Sequence, residues 1–180
     1  MTAVGGQPES AISIHEPAAD EWDVWRDLRF AALRDSPHAF ASGLERESAY
    51  DEDFWRRRLG DPQNVCLIAL VDGRAVGIGG GYLREDERGS NGVIAELVSM
   101  WVRPDQRRIG VARALIGRVS QWAHARGQDE LRLFVSEGND AAQRTYERLG
   151  FTLNGYRQPQ PHDPSRFESE MSKPIGPGAE

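Results

Sequence analysis

Between residues 93 and 135 the chain runs strand formers, turn, long amphipathic segment, strand formers, and this order constrains its fold more than any other feature. Val93 to Val102 reads as a strand and is followed by the turn Arg103-Pro104-Asp105-Gln106-Arg107-Arg108-Ile109-Gly110-Val111-Ala112-Arg113. From Ile109 the apolar set Val111, Leu115, Ile116, Val119, Trp122 and Ala123 recurs at helical period until Gly127 supplies a stop, and Leu131, Leu133 and Val135 then alternate as a strand. A helix joining two strands of one sheet is a crossover, so these strands should be parallel and the connection right-handed. Upstream, Val65–Val71 and Ala75–Leu83 flank Asp72-Gly73-Arg74, and an Asp-Gly pair between apolar runs predicts an antiparallel hairpin. The sheet must therefore be mixed.

The remaining chain fills in around that unit. Ala11–Ile14 reads as a first strand, and Trp22, Trp25, Leu28, Arg29, Ala32 and Leu33 share helical spacing between Glu21 and Arg34. A turn-forming loop at 35–43 precedes a second helical pattern from Glu47 or Asp51 to Leu59, stopped by Gly60-Asp61-Pro62. Asn139 caps a short helix ending at Leu149-Gly150, and Phe167–Ser172 reads as a last strand. Residues 1–10 and 174–180 lack periodicity and read as frayed tails around a domain at 11–173. A length of 180 residues suits one buried core and is short for two.

Composition excludes several functions. A net charge of -6 argues against a nucleic-acid-binding module, which normally carries a basic excess to track phosphates. No apolar run approaches the roughly 18 residues of a membrane span, and MTAVGGQPES lacks a leader's basic and apolar regions, so a cytoplasmic setting is expected. The single cysteine, Cys66, lies in the apolar run Val65-Cys66-Leu67-Ile68-Ala69-Leu70 and reads as core. His15, His38, His124 and His162 have no metal-ligand spacing, so no metal is expected. Neither G-x-x-x-x-G-K-[ST] nor G-x-S-x-G occurs, and Gly77-Ile78-Gly79-Gly80-Gly81-Tyr82 places a tyrosine where a G-x-G-x-x-G needs its last glycine.

What remains is the turn at 103–113. Helix N-termini offer unpaired N–H groups and a positive dipole end to anions, Gly110 and Ala112 leave the backbone accessible, and Arg107 and Arg108 add charge-assisted donors. The same arginines also suit a solvated face. The stretch Arg107-Arg108-Ile109-Gly110-Val111-Ala112 resembles the [RQ]-x-x-G-x-[GA] turn of the GNAT superfamily of acyl-CoA-dependent N-acetyltransferases, at the expected place between strand and long helix. Asn139-Asp140-Ala141-Ala142-Gln143-Arg144-Thr145-Tyr146-Glu147-Arg148-Leu149-Gly150-Phe151 is similar to that family's N-x-x-A-x-x-x-Y-E-x-x-G-F segment. Both elements in order, after an Asp-Gly hairpin, extend the resemblance over nearly the whole domain.

The resemblance implies a mixed sheet of six to seven strands flanked by about four helices, with the fourth and fifth strands splayed around acetyl-CoA. It further implies that Met100, Trp101 and Val102 pair with the pantetheine arm, as an added strand would, and that Arg107, Arg108, Ile109, Gly110, Val111, Ala112 and Arg113 cradle the pyrophosphate. A bulge near Ser99 to Trp101 would produce the splay and free an N–H for the oxyanion. Glu96 takes the position of the general base, against the alternative of a glutamate on a solvent face. Tyr146 takes that of the acid serving the CoA thiolate, and without the resemblance it reads as a core tyrosine. Asn139 caps its helix, contacts the cofactor, or both. Gly79 to Gly81 read as a bulge or as a close approach of substrate. The acceptor, a primary amine of a small molecule or a protein, would lie against residues 25–55 and a loop at 157–166, with Phe40, Tyr50, Glu45, Glu47 and His162 as candidates. Homodimerisation is left open, and an acyl-CoA-binding regulatory domain or a protein-interaction domain are the other readings.

Overall fold

The computed structural model describes residues 11–86 and 92–176. Seven strands form one sheet in the order β1-β2-β3-β4-β5-β7-β6, comprising β1 Ile12–His15, β2 Asn64–Val71, β3 Arg74–Glu85, β4 Val93–Val102, β5 Glu130–Ser136, β6 Thr152–Gln160 and β7 Asp163–Pro174. β4 and β5 run parallel and the other neighbours antiparallel, as the crossover and hairpin require. Asp72 and Gly73 turn the β2–β3 hairpin with φ values of 49° and 76°, a pair of left-handed residues that matches the strands' twist.

Two layers of helix cover the sheet. On one face α4, Val111–His124, buries Val111, Leu115, Ile116, Val119, Trp122 and Ala123 against β2, β3 and β4. A Cβ on Gly81 would stand 2.8 Å from Val119 Cγ1 and one on Gly79 2.8 Å from Met100 Sδ, so these glycines set how closely the helix seats. On the other face α1, Trp22–Asp35, and α3, Glu52–Gly60, bury Trp25, Ala32, Leu33 and Trp55 in a second core that includes Cys66, Ile68, Ile78 and Trp101. Asp51 starts α3 by accepting the Phe54 N–H at 2.8 Å. A single turn of helix, α2 (Leu44–Ser48), precedes it, and its one buried residue is Glu47. α5, Asp140–Arg148, is capped by Asn139, whose side chain accepts the Ala142 N–H at 3.2 Å.

Two expectations differ from the structure. The stretch expected as a loop at 157–166 is the end of a long hairpin, with Gln160 paired to Asp163 across Pro161-His162. Pro159 is tolerated because β6 lies at the sheet edge and needs ladder partners on one side only, and Pro161 falls in the turn. The last strand also outruns Ser172: it continues to Pro174, and Ile175 is buried with its N–H donating to Asp129 O at 2.8 Å, so packed chain extends past residue 173. The expected tail at 1–10 and residues 177–180 lie outside the described residues. No helix among the described residues is long and apolar enough to cross a membrane.

Candidate active site

The site begins where β4 and β5 part. Their register holds at Ala95 with Leu131 and Glu96 with Arg132, and no pairing follows. Just beyond, the β3–β4 register slips between Ile78 and Gly80, and Ser99 adopts φ 56°. The expected bulge is therefore here, and it turns the end of β4 away from β5. The strand edge that follows is open on the β5 side over Met100 to Val102, although Val102 O already accepts Arg107 Nε at 2.9 Å.

Facing this gap is the start of α4. Arg108 at φ 67° and Gly110 at φ 102° bend the chain into the helix, and the first backward hydrogen bond is Ala114 N–H to Gly110 O at 3.0 Å. The N–H groups of the first turn thus point outward unpaired, the arrangement that receives anions. A cleft of about 800 Å³ runs from there into the gap. Met100, Trp101, Val102, Arg107, Arg108, Gly110, Val111, Ala112, Arg113, Asn139 and Tyr146 line it, whereas Ile109 is half exposed and does not. Arg107 is already engaged, since its Nη2 donates to Asp35 Oδ2 at 2.8 Å and Trp101 Nε1 donates to the same oxygen at 2.9 Å. The Trp101 N–H foremost, with Ser36 and Arg107, holds the Asp35 carboxyl below its usual range. Arg108 is exposed.

A second cavity of about 660 Å³ opens on the α1–α3 face, and Ala39, Phe40, Met100, Phe134 and Tyr146 line both. Glu96 lines the second cavity and is buried, not on a solvent face. Arg84 Nε donates to its Oε2 at 2.6 Å. Burial pushes the Glu96 carboxyl above its ordinary pKa, Arg84 opposes this, and Glu168 and Glu170 add to the upward push. Burial foremost, with the Glu96 charge, pushes the neighbouring Tyr82 phenol to about 12. Tyr146 rests edge-on against Phe151 with ring centroids 5.8 Å apart, and burial pushes its phenol up to about 12. It keeps its proton throughout the neutral range.

The acceptor candidates divide. Phe40 lies between the cavities and Tyr50, stacked on Phe54 at 3.9 Å, lines the second. His162, at the hairpin turn, does not line either cavity, and Glu45 is exposed outside both. Glu47 lines the second cavity but is buried in a two-pronged ion pair with Arg29, at 2.9 and 2.7 Å. Sequence reasoning did not assign Arg29, Arg58, Arg84 or Glu168, all of which line this cavity. Their available signal was a charge interrupting an apolar pattern: Arg29 repeats with Trp25 and Leu33 on α1, and Arg58 falls beside Trp55 and Leu59 on α3. Among the described residues no group of His, Cys, Asp and Glu is arranged to hold a metal ion.

A mixed sheet splayed at a bulge, with a helix N-terminus facing the gap, defines a fold shared with solved acetyltransferases. A ribosomal-protein-alanine N-acetyltransferase from Brucella melitensis superposes with a TM-score of 0.70 at 20% identity, covering 91% of this chain and 99% of that one. A putative acetyltransferase from Salmonella typhimurium, solved with its cofactor acetyl-CoA, superposes at 0.68 with 18% identity, covering 95% and 98%. The chain belongs to the acetyltransferase (GNAT) family, whose sequence model matches residues 22–151. Mycothiol acetyltransferase of Thermobispora bispora is 33% identical over 137 residues, which are 76% of this chain and 44% of that protein. The chain spans about half the length of the curated relatives it matches.

Proposed function

We propose that the protein is an N-acetyltransferase that moves an acetyl group from acetyl-CoA to a primary amine of a small molecule or protein. The observation that carries this reading is the junction of the two cavities at Phe40, Met100, Phe134 and Tyr146, where a thioester entering by one can meet an amine entering by the other. Membership of the acetyltransferase family supports it. The residues of the first cleft suit acetyl-CoA: unpaired N–H groups at Val111 to Arg113 and the charge of Arg108 and Arg113 face a pyrophosphate, and the open edge of β4 offers hydrogen bonds to an amide-bearing arm. Arg107 would exchange or share its Asp35 contact to take part.

Glu96 serves as base and Tyr146 as acid. A free aliphatic ammonium has a pKa near 10.4, so at pH 7 only about one part in a few thousand is nucleophilic. A carboxylate that burial has made more basic is better suited to take that proton, directly or through a water. The amine nitrogen then bonds to the acetyl carbon, a bulge N–H near Ser99 to Trp101 holds the carbonyl oxygen, and the carbon–sulfur bond breaks. Tyr146 supplies the proton that the departing thiolate takes, the nitrogen's second proton and the one held by Glu96 pass to solvent, and the phenol is restored from solvent.

The test is a melting experiment followed by turnover. At about 100 times its dissociation constant, acetyl-CoA adds roughly 2.7 kcal/mol and raises Tm by about 5–11 °C, whereas ATP does not. CoA release with an amine panel then separates an enzyme from a regulatory binder. Absence of any shift with acetyl-CoA and CoA would overturn the reading, and a shift without release from any amine would reduce it to binding.

A further inference from the structure

The acceptor cavity holds more charge than the transfer needs, and most of it is neutralised internally. Arg29 is matched to Glu47, and Arg84 is matched to Glu96 with Glu170 at 3.9 Å. Arg46 reaches the Tyr50 hydroxyl at 3.0 Å on the exposed rim, where water solvates it. Among the described residues, what remains is one cation and one anion. Arg58 has no carboxylate partner among the described residues: its Nη2 donates to Ser99 Oγ at 3.3 Å, and its Nε is buried without a partner. Glu168 is buried and, among the described residues, its carboxylate accepts only from the amide of Gln158, at 2.8 Å.

Two further buried donors in residues lining the same cavity are unmet, Arg29 Nη1 and Ser42 Oγ. Arg29, Ser42 and Arg58 thus line one cavity, each with a buried donor unmet. A buried donor without an acceptor is costly, more so on a cation, and a carboxylate offers two oxygens in the geometry a guanidinium fork accepts. Ser99, which Arg58 touches, adjoins Met100 at the junction of the cavities. Through Ser99, Arg58 thus reaches the residue next to that junction.

We propose that the acceptor is an amine that also carries a carboxylate, a free amino acid or short peptide, with the carboxylate received by Arg58 beside Arg29 and Ser42 and the ammonium facing Glu96 and Glu168. This specificity rests on the acetyltransferase reading and narrows it. Arg58 is the residue that sets the preference. A free amino acid and a peptide C-terminus present the same carboxylate to it and differ in how far the amine lies from that group.

The experiment compares amino acids, their C-terminal amides, the corresponding decarboxylated amines and glycine-terminated dipeptides, by CoA release and by calorimetric titration into the CoA-loaded protein. Each acid is expected to exceed its amide by roughly 30-fold or more in kcat/KM, in line with loss of one partner of a buried charge pair. The dipeptides show which spacing is used. Arg58→Gln should reduce the preference to a few-fold and leave acetyl-CoA affinity unchanged, while Arg58→Lys, which keeps the charge, should retain part of it. Amides or decarboxylated amines used as well as the acids would overturn the proposal, as would an Arg58→Gln protein that still discriminates. So would failure of every acid to bind or be acetylated while acetyl-CoA still binds; loss of acetyl-CoA binding would instead remove the underlying activity.

Discussion

Glu47→Ala isolates the pair that fastens the acceptor side of the site to the core. Arg29 and Glu47 are 6% and 4% exposed and joined by two hydrogen bonds, so the substitution leaves a guanidinium buried without its counter-charge. Breaking a buried pair from one side costs about 3–5 kcal/mol. For a domain of this size each kcal/mol lowers Tm by roughly 2–4 °C, which predicts a fall of about 6–20 °C. The effect should be spatially specific as well. α2 is a single turn, too short to persist alone, and Glu47 is its one buried residue. The Arg29 guanidinium also lies 4.5 Å over the Phe40 ring, so the wall shared by both cavities should loosen and turnover should fall with stability. Circular dichroism melts of Glu47→Ala, Arg29→Met and the double variant Arg29→Met/Glu47→Leu measure the coupling. The double variant should recover most of the loss, because an apolar pair replaces two buried charges. A Glu47→Ala protein melting within about 2 °C of the parent would refute the reasoning and return Glu47 to the pool of acceptor-binding candidates.

Three further outcomes follow from the site. Glu96→Gln should lower kcat/KM by about 10²- to 10⁴-fold near neutral pH and by less at alkaline pH, where more of the amine is already neutral. Because burial raises the Glu96 pKa and the base acts deprotonated, the parent's acid limb should rise with pH through a midpoint above the ordinary carboxylate range, and a pH–rate profile checks both. Tyr146→Phe should lower turnover with acetyl-CoA affinity intact and no alkaline rescue; with its phenol at about 12, the parent profile should show no loss from Tyr146 ionising below about pH 11. Gly110→Val forces a branched side chain onto φ 102° at a residue lining the cleft, its Cβ 3.5 Å from Ile12 Cδ1, so the turn must rearrange; calorimetry should find acetyl-CoA binding weakened together with roughly 1–2 kcal/mol of backbone strain in the melt.

The topology was legible because the signals that specify it are local. Period 3.6 between two period-2 stretches marked the crossover, Asp72-Gly73 marked the hairpin, and Gly110 marked the turn that the structure holds at positive φ. The β6–β7 hairpin was less legible because Arg157 to Arg166 is polar and contains three prolines, a composition that an edge strand tolerates and a loop shares. Local geometry was legible where a residue acts within its own element, as Gly110 does at positive φ and Asn139 does as a helix cap, while the charged lining of the second cavity was not. Arg29 and Arg58 present the same sequence signal, an arginine beside the apolar stripe of an amphipathic helix. Packing separates them: α2 brings Glu47 to Arg29 across 18 residues of chain, while Arg58 has no carboxylate among the described residues and meets instead the hydroxyl of Ser99, 41 residues away on the bulge, and the Cys66 thiol. Glu96 and Glu168 diverge in the same way, the first beside Arg84 and the second beside an amide. The chemistry offered to an acceptor is thus the charge left over after the internal pairs form, and that remainder depends on contacts between elements that no spacing within either element records.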